Sequence, residues 1–157
     1  MNVKLNVELF KNHMQRLKAG ASQATAISEI SRWIAENTYI NGKPYSYHKH
    51  EYQQRILNSN AREKIVRKCS QVGISELAVR EALAKCGMIK NFTTIYTLPT
   101  ATFAAVLAKT RVDPVIKESP YLQELITEID NVEVKQLGTS YLYLKGAASS
   151  NAPISIP

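Results

Sequence analysis

A chain of 157 residues has the length of about one domain, and its composition (45% apolar, 21% charged, 8% aromatic, 6 Gly, 6 Pro) excludes collagen, coiled coil and wholesale disorder. No run approaches the ~18 consecutive apolar residues of a membrane-spanning helix, and the charged N-terminus lacks the apolar core of a secretory signal. The net charge of +7 is uneven: residues 1–90 hold 15 Lys+Arg against 7 Asp+Glu, and residues 91–157 hold 5 against 6, so the excess that suits phosphate-bearing partners lies in the first part.

In chain order, Leu5, Val7, Phe10, Met14 and Leu17 recur at helical spacing and predict a helix over 3–17, ended by Gly20. Ser22 caps a second helix carrying Ala24, Ile27, Ile30, Trp33 and Ile34. Residues 37–47 are turn-rich, with Asn41-Gly42 and Lys43-Pro44. A helix is predicted over about 49–59. Residues 64–69 then read as a short strand, 70–73 as a loop, and 74–86 as a helix stopped by Gly87. Residues 92–98, FTTIYTL, are the clearest strand. Thr100 caps a helix beyond Pro99, and Ser119-Pro120 opens another that extends to about Ile129. Two closing strands, VEVKQL and SYLYLK, meet at Gly138-Thr139 as a two-residue hairpin.

The expected fold class is therefore α/β: a parallel sheet with covering helices, preceded by an N-terminal helical region (1–47) and ending in a β-hairpin. Strands 64–69 and 92–98 are expected as parallel neighbours, with the 74–86 helix across them. Cys69 and Cys86 form neither a disulfide framework nor a zinc site and are expected as reduced, buried thiols. His48 and His50 stand two apart, which does not place both on one helix face, so a solvated loop is expected rather than a metal site. Tyr39, Tyr45 and Tyr47 are read as packing residues with their hydroxyls at the rim, as are Tyr141 and Tyr143 on one strand face.

The segment Lys68-Cys69-Ser70-Gln71-Val72-Gly73-Ile74-Ser75 carries the chemistry. A strand passing through a glycine-containing loop into a helix presents unpaired N–H groups and a partial positive charge to an anion. Against G-x-x-x-x-G-K-[ST] the segment keeps the second Gly and the terminal Ser, but lacks the first Gly and has Ile74 in place of Lys. A lysine at the first loop position can arch back over the phosphates, and Lys68 stands there.

In that arrangement the segment resembles the deviant Walker A loop of the large terminase subunits of tailed bacteriophages. Glu51-Tyr52-Gln53-Gln54-Arg55-Ile56-Leu57 resembles the family's adenine-reading Q-motif. Ile95-Tyr96-Thr97-Leu98-Pro99-Thr100 resembles the strand and turn after the family's first βα unit, and Arg111-Val112-Asp113-Pro114 with Ser119-Pro120 resembles its continuation. Residues 144–150 and 153–155 resemble the stretch before the family's Walker B strand. The resemblance spans about residues 30–157. It implies an incomplete P-loop NTPase domain over 48–157, part of a DNA-packaging motor ATPase, which in the family is followed by a nuclease. It implies ATP and Mg²⁺ as cofactors. Lys68 would be catalytic, Ser75 would hold the metal, and Tyr52, Gln53 and the loop Lys68, Cys69, Ser70, Gln71, Val72, Gly73, Ile74, Ser75 would bind the nucleotide. It further implies double-stranded DNA, a terminase small subunit and a portal as partners, no membrane, and the host cytoplasm as location. The family's Asp-Glu pair is expected beyond residue 157, so the chain is expected to be truncated before the Walker B strand and inactive alone; Glu128 and Asp130 are the weaker stand-ins.

Two other readings remain open at this stage. Residues 61–69 and 74–86 also fit the two helices of a winged helix-turn-helix, with Arg80 on the second helix contacting DNA; a helix at 63–69 supports that reading and a strand supports the phosphate loop. An interaction protein with no site would leave Lys68 a surface lysine and Ser75 an ordinary cap.

Overall fold

The computed structural model describes residues 29–147, with Lys11, Met14 and Gln15 ahead of them. The helix expected over 3–17, Gly20 and the Ser22 cap otherwise lie outside the described residues.

The chain begins with α1 (Ile30–Asn37) and a small antiparallel hairpin, β1 (Tyr39–Ile40) and β2 (Lys43–Pro44). Asn41 and Gly42 both adopt positive φ, +52° and +72°, which is why an Asn-Gly pair serves a tight two-residue turn here. Helix α2 (Glu51–Leu57) comes next, then an extended stretch, then the long helix α3 (Ile74–Met88). Strand β3 (Thr93–Leu98) leads to α4 (Ala101–Leu107), five residues of π-type winding at Ala108–Val112, α5 (Asp113–Glu118) and α6 (Pro120–Leu125). The chain then makes a meander of β4 (Ile126–Asp130), β5 (Val134–Leu137) and β6 (Ser140–Gly146). The caps fall where expected: Thr100 Oγ1 accepts from Phe103 N at 3.2 Å, and Ser119 Oγ accepts from Leu122 N at 3.2 Å.

The sheet is mixed, in the order β3-β6-β5-β4. β6 runs parallel to β3, from Thr93 opposite Tyr141 to Leu98 opposite Gly146, and antiparallel to β5. Leu137, Leu142 and Leu144 are buried on the face against α3 and α4. Helix α3 lies between two cores. Val79, Leu83 and Cys86 join those leucines and Ala104, Val112 and Leu122. Leu77 and Ala84 join Ile30, Ile34, Tyr45 and Leu57 from α1, α2 and their connections. A helix buried on both sides has apolar residues around most of its circumference.

Four expectations are corrected. Residues 64–69 form no strand: they are exposed throughout, and Ile65 is 98% exposed. Two apolar residues between Lys64 and Arg67 give each strand face a single apolar side chain, too little to hold a place in a sheet, and β6 takes the position parallel to β3. The helix opened at Pro120 stops at Leu125, and Glu128 and Asp130 belong to β4. Gly87 does not stop α3; it lies within the helix, where a Cβ would stand 3.0 Å from Trp33 Cζ2. Cys69 is exposed, and only Cys86 is buried.

A Cβ built on Gly146 would overlap Ala101 N, on backbone that cannot move aside. Gly146→Ala is therefore expected to force β6 away from the start of α4 and to destabilise the fold by about 1–3 kcal/mol. Urea unfolding should show a lower midpoint at unchanged slope; an unchanged midpoint would show that this approach carries no constraint.

Candidate functional site

The stretch from Lys68 to Gly73 crosses the surface and delivers the chain into α3. Gly73 is the N-cap at φ +73°, with no side-chain capping bond. The first turn of α3 thus turns N–H groups without helical acceptors outward. Lys68, Cys69, Ser70, Gln71 and Ser75 are exposed, and Val72 and Ile74 are half-buried. Gln71 holds φ +60°, a conformation uncommon for a residue other than Gly or Asn. Among the described residues, the Lys68 ammonium reaches the carbonyl oxygen of Cys69 alone, at 3.4 Å.

Helix α2 lies against the loop. The Tyr52 hydroxyl donates to the Val72 carbonyl oxygen at 2.5 Å, and Gln53 Nε2 donates to the same oxygen at 3.2 Å. Gln53 is 3% exposed, and its Oε1 accepts from the Tyr45 hydroxyl at 2.5 Å. A Cβ on Gly73 would lie 2.8 Å from Gln53 Nε2. Gly73 is thus required twice, by its positive φ and by its contact with Gln53. The expectation that Gln53 reads an adenine edge meets a different geometry: the amide is buried and turned toward the loop. Beside Tyr52 a cleft of about 500 Å³ opens, lined also by Arg55, Ile56, Ser59, Lys64 and Ile65.

Behind the loop lies a charge network that the sequence reading missed. Glu76, in the first turn of α3, is bonded by Arg80 and, at 2.7 Å, by Arg111 Nη1. Burial pushes the Glu76 carboxyl up, but the hydrogen bonds from Arg111 and Arg80 outweigh it and hold it below its ordinary value. The Arg80 guanidinium stacks over the Tyr45 ring, 4.4 Å from its centroid. Burial raises the Tyr45 phenol despite the opposing pull of Arg80, which keeps the hydroxyl a donor to Gln53. The i, i+4 spacing of Glu76 and Arg80 was the sequence signal for half of this network.

The remaining candidates do not converge on the loop as a metal site. His48 and His50 are exposed, and no group of three or more His, Cys, Asp or Glu among the described residues is placed to hold a metal. Glu128 is exposed on β4, and Asp130 is paired with Lys135. Residues 63–69 form neither the helix that the helix-turn-helix reading required nor the strand expected to lead into the phosphate loop, and Arg80 is buried to 0% exposure, unable to touch DNA. The helix-turn-helix reading is therefore set aside.

The family model of the phage terminase large subunit gpA, ATPase domain, matches residues 41–156. The chain belongs to that family. Terminase ATPase domains drive phage DNA packaging, and the matched span contains α2, the loop, α3 and the whole sheet. No curated protein and no solved structure matches the chain. No helix among the described residues is long and apolar enough to cross a membrane.

The Glu76 carboxyl, depressed in the folded chain, contributes stability that is present above its ordinary value of 4.5 and is lost as pH falls through the folded value. Glu76→Gln is expected to cost about 3 kcal/mol at pH 7, by leaving Arg80 buried without its carboxylate. The gap from the unaltered chain should close as pH falls below that ordinary value. Urea titrations at a series of pH values check this; parallel curves for the two proteins would mean that Glu76 does not titrate with folding.

Proposed function

We propose that this chain binds ATP·Mg²⁺, with the polyphosphate over Gln71–Ser75 and the Lys68 ammonium on the β and γ oxygens. Cys69 and Ser70, both exposed, and Val72, Gly73 and Ile74 would line the phosphates from the backbone side. The observation that carries this reading is the left-handed loop ending at Gly73, which opens the N-terminus of α3 to solvent within a terminase ATPase domain. Helix N-terminal amides and the macrodipole favour a phosphate there. Among the described residues Lys68 is bonded to a neighbouring carbonyl alone, a contact that an anion could replace.

The residues present fit Mg²⁺ in one respect. Ser75 is exposed in the first turn of α3 and offers a hydroxyl, while Glu76 is engaged by two guanidiniums. Mg²⁺ binds through phosphate oxygens and water with few protein contacts, and when bound it would neutralise the β and γ charge. The base is assigned to the cleft beside the Tyr52 ring, whose size suits a nucleobase. Lys68 would stabilise charge on the transferring phosphoryl group. Double-stranded DNA, a small terminase subunit and a portal are the partners this reading carries, with the host cytoplasm as the place of action.

Titration of a fluorescent ATP analogue with Mg²⁺ tests the site. Lys68→Ala is expected to weaken binding about tenfold or more, the loss of a charge-assisted contact. Equal affinity in both proteins would remove Lys68 from the site.

A further inference from the structure

Two side chains of helix α2 hydrogen-bond to one loop atom, the Val72 carbonyl oxygen. Two donors converge on it, one a phenol and one a buried amide. The amide cannot face the other way. If Gln53 were flipped, its Oε1 would meet the Val72 carbonyl oxygen, and two acceptors would oppose each other. In that orientation Oε1 accepts from the Tyr45 hydroxyl, and the Tyr45 ring is itself held beneath Arg80. A chain of contacts thus runs from the buried guanidinium through Tyr45 and Gln53 to the loop.

The gripped carbonyl sits between two left-handed residues, Gln71 and Gly73. A loop bent this way has little regular bonding of its own: Leu77 N to Gly73 O, at 2.9 Å, is the first helical bond behind it. Left alone, the Val72 carbonyl would be free to rotate toward the anion site, where its partial negative charge opposes phosphate. Holding that oxygen inward keeps the α3 amides as the polar groups facing outward.

We propose that Tyr52 and Gln53 are positioning residues of the phosphate loop: through the Val72 carbonyl oxygen they fix its anion-binding shape, and they act on triphosphates regardless of the base. This rests on the phosphate-loop reading and assigns both residues a role other than reading adenine. Tyr52 performs it with its hydroxyl, while its ring remains a wall of the neighbouring cleft.

Tyr52→Phe separates these roles, because it keeps the ring, and with it any stacking or packing, and deletes only the hydroxyl. The probes are ribose-labelled ATP, ribose-labelled GTP and, as a competitor, inorganic tripolyphosphate, each with Mg²⁺. Tyr52→Phe is expected to weaken all three by the same factor, about five- to tenfold, within the range of one hydrogen bond. Its urea midpoint should fall by no more than the loss of one part-buried hydrogen bond accounts for, and the amides of residues 73–76 should exchange hydrogen faster in the absence of ligand. Gln53→Met, close in volume, should act in the same direction; Tyr52→Phe decides if that variant does not fold. Loss confined to ATP, or unchanged affinity for all three probes at unchanged amide exchange, overturns the proposal. Lys68→Ala, measured beside it, separates the two failures. If Lys68→Ala loses binding and Tyr52→Phe does not, the clamp alone is wrong. If the unaltered chain binds no tripolyphosphate, or Lys68→Ala binds it equally well, the phosphate-loop reading falls and the clamp with it.

Discussion

The guanidinium of Arg80 is the group on which the arrangement depends. It is wholly buried, and a buried charge persists only when paired and hydrogen-bonded. Its Nε donates to Thr38 Oγ1 at 3.2 Å, Nη2 to the Tyr39 carbonyl at 2.6 Å, and Nη1 to Glu76. One planar fork therefore ties the end of α1, the first strand of the small hairpin and the start of α3, and its face lies on Tyr45. Lysine has no equivalent geometry, since its ammonium offers neither the fork nor the stacking plane. The contacts serve α3 where it matters, one turn behind the loop.

Helix α3 holds position because it is packed on two sides. On one side Val79, Leu83 and Cys86 meet the sheet; on the other Leu77 and Ala84 meet α1, α2 and Tyr45. A helix held by one face can roll about its axis. One held by two cannot do so without opening a cavity, and cavities cost several kcal/mol in a close-packed interior. The N-terminus of α3 is thus presented at a fixed angle while the stretch before it remains exposed. Rigidity lies in the helix, and the loop borrows it through Gly73 on one side and the Val72 carbonyl on the other.

What was legible in the sequence was local. Asn41-Gly42 and Gly138-Thr139 specify their turns by backbone conformation, and Thr100 and Ser119 cap their helices with their own side chains, so none of the four needs a distant partner. Residues 64–69 failed because a strand exists only when a neighbour receives it, and β-branched character alone does not supply one. Gly87 failed for the converse reason: a distant residue, Trp33, occupies the space that a side chain would need. Around the proposed site, the turn at 70–73 and helix α2 were both expected as elements, and the structure brings them into contact. The roles of their side chains were not readable, because the Val72 oxygen that Tyr52 and Gln53 share is a backbone atom with no sequence signature. Arg80 could stand as a DNA contact in the helix-turn-helix alternative because its burial depends on Tyr45 and Thr38, far from it in the chain.

The position of Glu76 poses an electrostatic question that the two arginines answer. A carboxylate in the first turn favours the helix, since it faces the positive end of the macrodipole. The same carboxylate would oppose any polyphosphate at that end. Arg80 from within and Arg111 from the π-wound segment between α4 and α5 both bind it. Two positive charges against one negative leave the base of the loop with a surplus of the sign a phosphate needs, without a cation standing in the site itself. In the proposed site, the charge that would move on binding is that of Lys68, an exposed side chain rather than a buried one. Fixed charge below and mobile charge above is an arrangement that favours an anion while keeping the cost of reorganisation small.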